Sequence, residues 1–108
     1  MFTVQNNNIS LIRGDSGAFT ISIADTNGIP VALTDGDVLT FTVRRTPRSP
    51  TIVLQKTITG GTLYINPTDT QDLTFGSYVY DVELCRADGY TDTIIPPHEF
   101  LILEEVTY

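Results

Sequence analysis

The chain has no tryptophan, one cysteine, one histidine and one methionine among its 108 residues. A single thiol, Cys85, cannot close an intrachain disulfide, and a small domain without bridges points to folding in a reducing compartment. One thiol and one imidazole do not complete a tetrahedral zinc site, so no metal is expected from them. Basic residues are scarce: six Lys and Arg stand against thirteen acids, a formal net charge of −7. Residues 1–54 balance four arginines with four aspartates, whereas residues 55–108 set Lys56 and Arg86 against nine acids and carry the whole −7. An acidic surface repels phosphate, so nucleic acid is not an expected partner. No apolar run approaches a membrane span, and Met-Phe-Thr-Val-Gln-Asn-Asn-Asn has neither a basic region nor an apolar core, so neither a membrane partner nor a signal peptide is expected. An initiator methionine without a leader predicts a complete small protein, used inside the cell that makes it.

Apolar residues at helical spacing are also missing. Val, Ile, Thr, Tyr and Phe recur instead, and 41% hydrophobic with 18% charged residues describes a folded chain. The length predicts one domain over residues 1–108. Residues 18–23 alternate, with Phe19, Ile21 and Ile23 inward; in residues 38–45, Leu39, Phe41 and Val43 share a face; Leu63 and Ile65 do so in residues 62–65. The longest alternation is in residues 73–84, where Tyr78, Tyr80, Val82 and Leu84 lie on one side and Asp81 and Glu83 on the other. Before it, Asn66-Pro67-Thr68-Asp69 reads as a single helical turn near 67–72, with Asn66 as N-cap and Pro67 at the first position. Asn27-Gly28, Gly60-Gly61 and Asp88-Gly89 mark turns, and Pro96-Pro97 is expected to separate a strand at 90–95 from a last strand at 98–106. The prediction is all-β: an antiparallel sandwich of seven to nine short strands with one helical turn.

No residue set amounts to a catalytic site. Cys85 and His98 lack any surrounding motif, and every loop is short. Asp25, Asn27, Asp35 and Asp37 miss the spacing of a calcium loop and read as turn residues, although the spacing leaves a weak site between two turns open. Asp81 and Glu83 read as a solvated sheet face. Arg13-Gly14-Asp15 spells an integrin-binding tripeptide but sits at a strand end, where Gly-Asp is ordinary turn chemistry. The basic group Arg44, Arg45, Arg48 and Lys56 reads as edge-strand charge that discourages strand addition. One segment departs from plain alternation. Phe100 and Ile102 fall on one face and Leu101 and Leu103 on the other, so the strand is apolar on both. Either another segment covers it, with Phe2-Thr3-Val4 the candidate, or Leu101 and Leu103 form an assembly surface.

Three blocks carry a family resemblance. They are Ile12-Arg13-Gly14-Asp15-Ser16-Gly17-Ala18-Phe19-Thr20-Ile21, then Asp25-Thr26-Asn27-Gly28-Ile29-Pro30-Val31-Ala32-Leu33-Thr34 with Val38 to Arg44, and finally Pro67-Thr68-Asp69-Thr70 with Gly76-Ser77-Tyr78-Val79-Tyr80-Asp81-Val82-Glu83-Leu84 and the Ala87-Asp88-Gly89 turn. The pattern resembles the immunoglobulin-like N-terminal domain of the phage baseplate upper protein family and related prophage tail-associated proteins. Antibody-type domains fit less well, lacking here the inter-sheet cysteines and the core tryptophan.

The resemblance implies an immunoglobulin-like β-sandwich and a non-enzymatic structural part in a phage or prophage tail or baseplate. It implies partners that are other tail proteins or a second copy, no cofactor, and synthesis in a bacterial cytoplasm followed by incorporation into the particle. It makes Arg13-Gly14-Asp15 a scaffold signature. Leu73, Gly76 and Tyr78 match a tyrosine corner, in which the Tyr78 hydroxyl bonds to backbone a few residues upstream. The alternative is a cell-surface or carbohydrate-binding module, with Tyr64, Tyr90 and Tyr108 as candidate stacking platforms.

Overall fold

The computed structural model describes residues 2–5, 7–21, 36–58 and 61–104. Eight strands run in chain order: β1 (Phe2–Gln5), β2 (Asn8–Ile12), β3 (Gly17–Thr20), β4 (Val38–Arg44), β5 (Ile52–Ile58), β6 (Thr62–Ile65), β7 (Gly76–Cys85) and β8 (Thr91–Leu103). One helical turn, α1 (Pro67–Thr70), lies between β6 and β7. It begins where Pro67 presets φ, and the Asp69 carboxylate accepts the N–H of the N-cap residue Asn66 at 2.7 Å.

Six strands form one sheet in the order β1-β2-β8-β7-β4-β5, and β3 and β6 form a second, two-stranded sheet. The large sheet is mixed rather than antiparallel throughout: β2 runs parallel to β8, with Ile9 opposite Phe100 and Ile12 opposite Leu103. This corrects the all-antiparallel expectation. The end of β8 lies between β2 and β7, which pairs both of its edges but leaves the outward Leu101 half-buried and Leu103 exposed. Phe2-Thr3-Val4 does not cover it, because β1 adds to the outer edge of β2.

A second correction concerns Pro96-Pro97. The chain does not break there; β8 is one strand of thirteen residues. Two register shifts against β7 absorb the prolines, as Tyr80 faces His98 while Val82 faces Ile95, and Glu83 then faces Thr93. Proline has no N–H for the ladder, so it belongs at a bulge or an unpaired edge. Among the described residues the partner β2 reaches only Phe100 to Leu103, and the proline segment is paired on the β7 side alone.

Alternation decides what is buried. Ile9 and Leu11, Leu39, Phe41 and Val43, Tyr78, Tyr80, Val82 and Leu84, and Phe100 and Ile102 are all at most 4% exposed. Leu63 and Ile65 of the small sheet and Ile21 join the same core cluster. At its centre three rings meet: Phe41 lies 5.2 Å from Tyr80 and 5.8 Å from Phe100. Such tilted pairs add to area burial, and truncating one to Ala costs about 3–5 kcal/mol. The expected turn at 25–28 and crossing at 29–33 lie outside the described residues, as does Ile23.

Candidate functional surfaces

The first and last of those sequence blocks meet at one corner beside α1. The Gly14 N–H donates to Oγ1 of Thr70 at 2.9 Å, and Thr70 is fully buried. Gly14 has φ of 85°, a left-handed backbone that glycine adopts without steric cost. Arg13 donates from Nη1 to the Leu73 carbonyl at 3.3 Å, and its guanidinium lies 4.2 Å from the centre of the Phe75 ring. Its backbone N–H continues the parallel ladder to the Leu103 carbonyl at 2.9 Å. Arg13-Gly14-Asp15 is therefore committed to internal contacts, with the Asp15 N–H closing a turn onto Ile12.

Next to it, the Tyr78 hydroxyl donates to the Thr74 carbonyl at 2.8 Å, and the Thr74 hydroxyl lies 2.9 Å from the same phenol oxygen. Arg45 stacks over the Tyr78 ring at 4.6 Å. Gly76 enters β7 with φ of 130°, and a Cβ there would stand 3.3 Å from that guanidinium. Leu73 packs against the core from the same loop.

The remaining candidates are dispersed. Cys85 pairs with Thr91 and His98 with Tyr80, five residues apart along β7, which is roughly 16 Å and beyond any nucleophile–base contact. Asp37 binds Arg86 Nη1 at 3.1 Å and the Ala87 N–H at 3.2 Å, so it fastens the β7–β8 turn. Asp25 and Asp35 lie outside the described residues; among the described ones, no group of three His, Cys, Asp or Glu is placed to hold a metal. Tyr64 and Tyr90 are 62% and 59% exposed, but they stand on β6 and on the β7–β8 turn respectively. Tyr108 is outside the described residues. Among those residues no helix is long and apolar enough to cross a membrane.

The core-opposed face of the large sheet divides into two halves. Toward β2 and β8 it carries Ile12, Leu101, Val79 and Leu103, of which Leu103 is 40% exposed and the others half-buried. Leu103 stands opposite Ile12, while Leu101 lies between Ser10 and Ser77. Toward β4 and β5 the face is polar. Asp81 lies opposite Thr42, which lies opposite Gln55, and Glu83 lies opposite Thr40. With Arg44 these side chains line an open groove of about 400 Å³. Reading Asp81 and Glu83 as plain solvated charge missed this grouping. Alternation does send Thr40 and Thr42 outward, but only the pairing of β4 with β5 and β7 puts all six side chains together.

The sheet edges differ as well. On the edge strand β5, Lys56 follows the register of the buried Phe41 opposite it, so its side chain starts on the core face. Its Nζ reaches the Tyr64 carbonyl at 2.7 Å and Asp69 Oδ2 at 2.6 Å, tying the large sheet to β6 and α1. An inward charge is a barrier to strand addition. Edge strand β1 has no charged residue and no proline in Phe2–Gln5.

The buried ring of Tyr80 ends in a hydroxyl that donates to the Asn7 carbonyl, and burial pushes its pKa up to about 12. No family model, curated protein or solved structure matches the chain.

Proposed function

We propose that this protein is a small immunoglobulin-like β-sandwich that serves as a non-enzymatic structural part of a phage or prophage tail or baseplate, working through protein–protein contacts. The sequence resemblance supports this reading. Its two blocks around Arg13-Gly14-Asp15 and Thr70 to Tyr78 are joined by the Gly14–Thr70 and Arg13–Leu73 hydrogen bonds, as expected of fold signatures. One core shared by both sheets supports the sandwich.

The observation that carries the assembly role is the apolar stripe of Ile12, Leu101 and Leu103 on the face opposite the core, close to β1, which among the described strands is an edge of the sheet. Light scattering at high concentration on the wild type and on a Leu101→Ser/Leu103→Ser variant tests it. Association that the double variant abolishes supports self-assembly through this face, whereas a wild-type monomer removes the homo-oligomer. Neighbouring genes test the setting: tail, portal or baseplate genes support it, and secretion genes overturn it.

A further inference from the structure

We propose that the polar groove on the core-opposed face of β4, β5 and β7 binds a neutral saccharide. The site is separate from the Leu101 and Leu103 stripe and does not depend on the assembly role. Two rows of side chains form it. Asp81, Thr42 and Gln55 cross three strands, a width of roughly 10 Å, and Glu83 and Thr40 form a second row about 7 Å along. Arg44 closes one end.

The chemistry of the lining selects the ligand. All six side chains are polar, which excludes an aliphatic guest. Two carboxylates repel phosphate, and the Arg44 guanidinium in the same lining makes a poor site for a bare cation. What remains is a dense alternation of donors and acceptors: two carboxylates and two hydroxyls, an amide, and a guanidinium with five N–H groups. A polyhydroxylated neutral molecule, whose hydroxyls both donate and accept, satisfies that set. The groups are also available to a ligand. Gln55 Nε2 donates to Thr42 Oγ1 at 3.1 Å, which orients the amide, and Arg44 uses Nη1 for the Ser49 carbonyl at 3.0 Å, keeping its other donors. Among the described residues the Asp81 and Glu83 carboxylates have no hydrogen bond or ion pair within the chain. Thr42, Arg44 and Asp81 also line an adjoining pit of about 50 Å³, to which Val79, Pro47 and Pro97 add apolar surface. A sugar ring presents that combination, with hydroxyls at its rim and C–H groups on its face.

The test is an amide-resolved NMR titration of the whole chain with glucose, galactose, N-acetylglucosamine and their short linear oligomers. Saturable shifts at Thr40, Thr42, Asp81 and Glu83 with at least one probe are expected. Asp81→Ala, a substitution on the solvent face, should weaken binding about tenfold or more, as loss of a charged hydrogen bond does, with the denaturation midpoint unchanged. The Leu101→Ser/Leu103→Ser variant should bind as the wild type does, separating this site from the assembly surface. The absence of a saturable shift with every probe overturns the proposal. So do shifts centred on Tyr64 or Tyr90, and so does binding that survives Asp81→Ala intact.

Discussion

Gly14 and Thr70, fifty-six residues apart, are joined by a 2.9 Å hydrogen bond from a backbone N–H to a buried hydroxyl. This bond anchors the strand that ends at Ile12 to the helical turn that precedes β7. The hydroxyl is fully buried and the N–H part-buried, so a lost acceptor leaves that donor poorly satisfied. Thr70→Val, which keeps the shape and removes the acceptor, should therefore cost about 1–3 kcal/mol in urea unfolding. Thr70→Ser should recover most of the loss.

Tyr78 closes the same corner through its hydroxyl. Tyr78→Phe deletes the bond to the Thr74 carbonyl and leaves the ring under Arg45 in place. The expected loss is about 1 kcal/mol, read as a shift in denaturation midpoint at constant slope. An unchanged midpoint would show that the phenol bond is energetically idle.

Tyr80 makes stability fall at alkaline pH. Its pKa rises from 10.0 in the unfolded chain to about 12 in the folded one, because burial disfavours the phenolate. Between those values the folded state retains a proton that the unfolded state has released, so unfolding releases a proton and stability declines as pH rises. The contribution is intact below pH 10 and is lost through about 12. Tyrosinate absorbance should show a late-titrating component in the folded protein, and Tyr80→Phe should remove it along with this part of the alkaline slope.

Lys56 guards an edge. Its ammonium is held between the Tyr64 carbonyl and Asp69, with its side chain only 20% exposed. Lys56→Val removes the inward charge from β5 and should raise concentration-dependent association, measured by light scattering, while Lys56→Arg should not. Equal behaviour of the two variants would mean that the edge is protected by something other than charge.

Much of the architecture can be read from local chemistry. A strand repeats every two residues, so the buried identities of Leu39, Phe41 and Val43, or of Tyr78, Tyr80, Val82 and Leu84, follow from neighbours a few positions apart. Pro67 and Asp69 specify a helical turn in the same local way. The candidate surface was only partly legible. The two-faced apolar run of Phe100 to Leu103 was visible as an anomaly, but its explanation was not.

Tertiary structure alone decided which strands flank that run. Parallel pairing of β2 with β8 joins residues about ninety positions apart, and no local pattern encodes which strand a given edge will meet. The same holds for Pro96-Pro97, which reads as a break until the ladder on one side is found to step over it through register shifts. It holds again for the groove, since Thr40 and Thr42, Gln55, and Asp81 and Glu83 are ordinary outward residues on three separate strands. By itself, the sequence determined which side of strands such as β4, β6 and β7 faces the core, because side-chain alternation is a property of the backbone. Which strands became neighbours was decided by the global packing of those faces, and both the assembly stripe and the polar groove are products of that second choice.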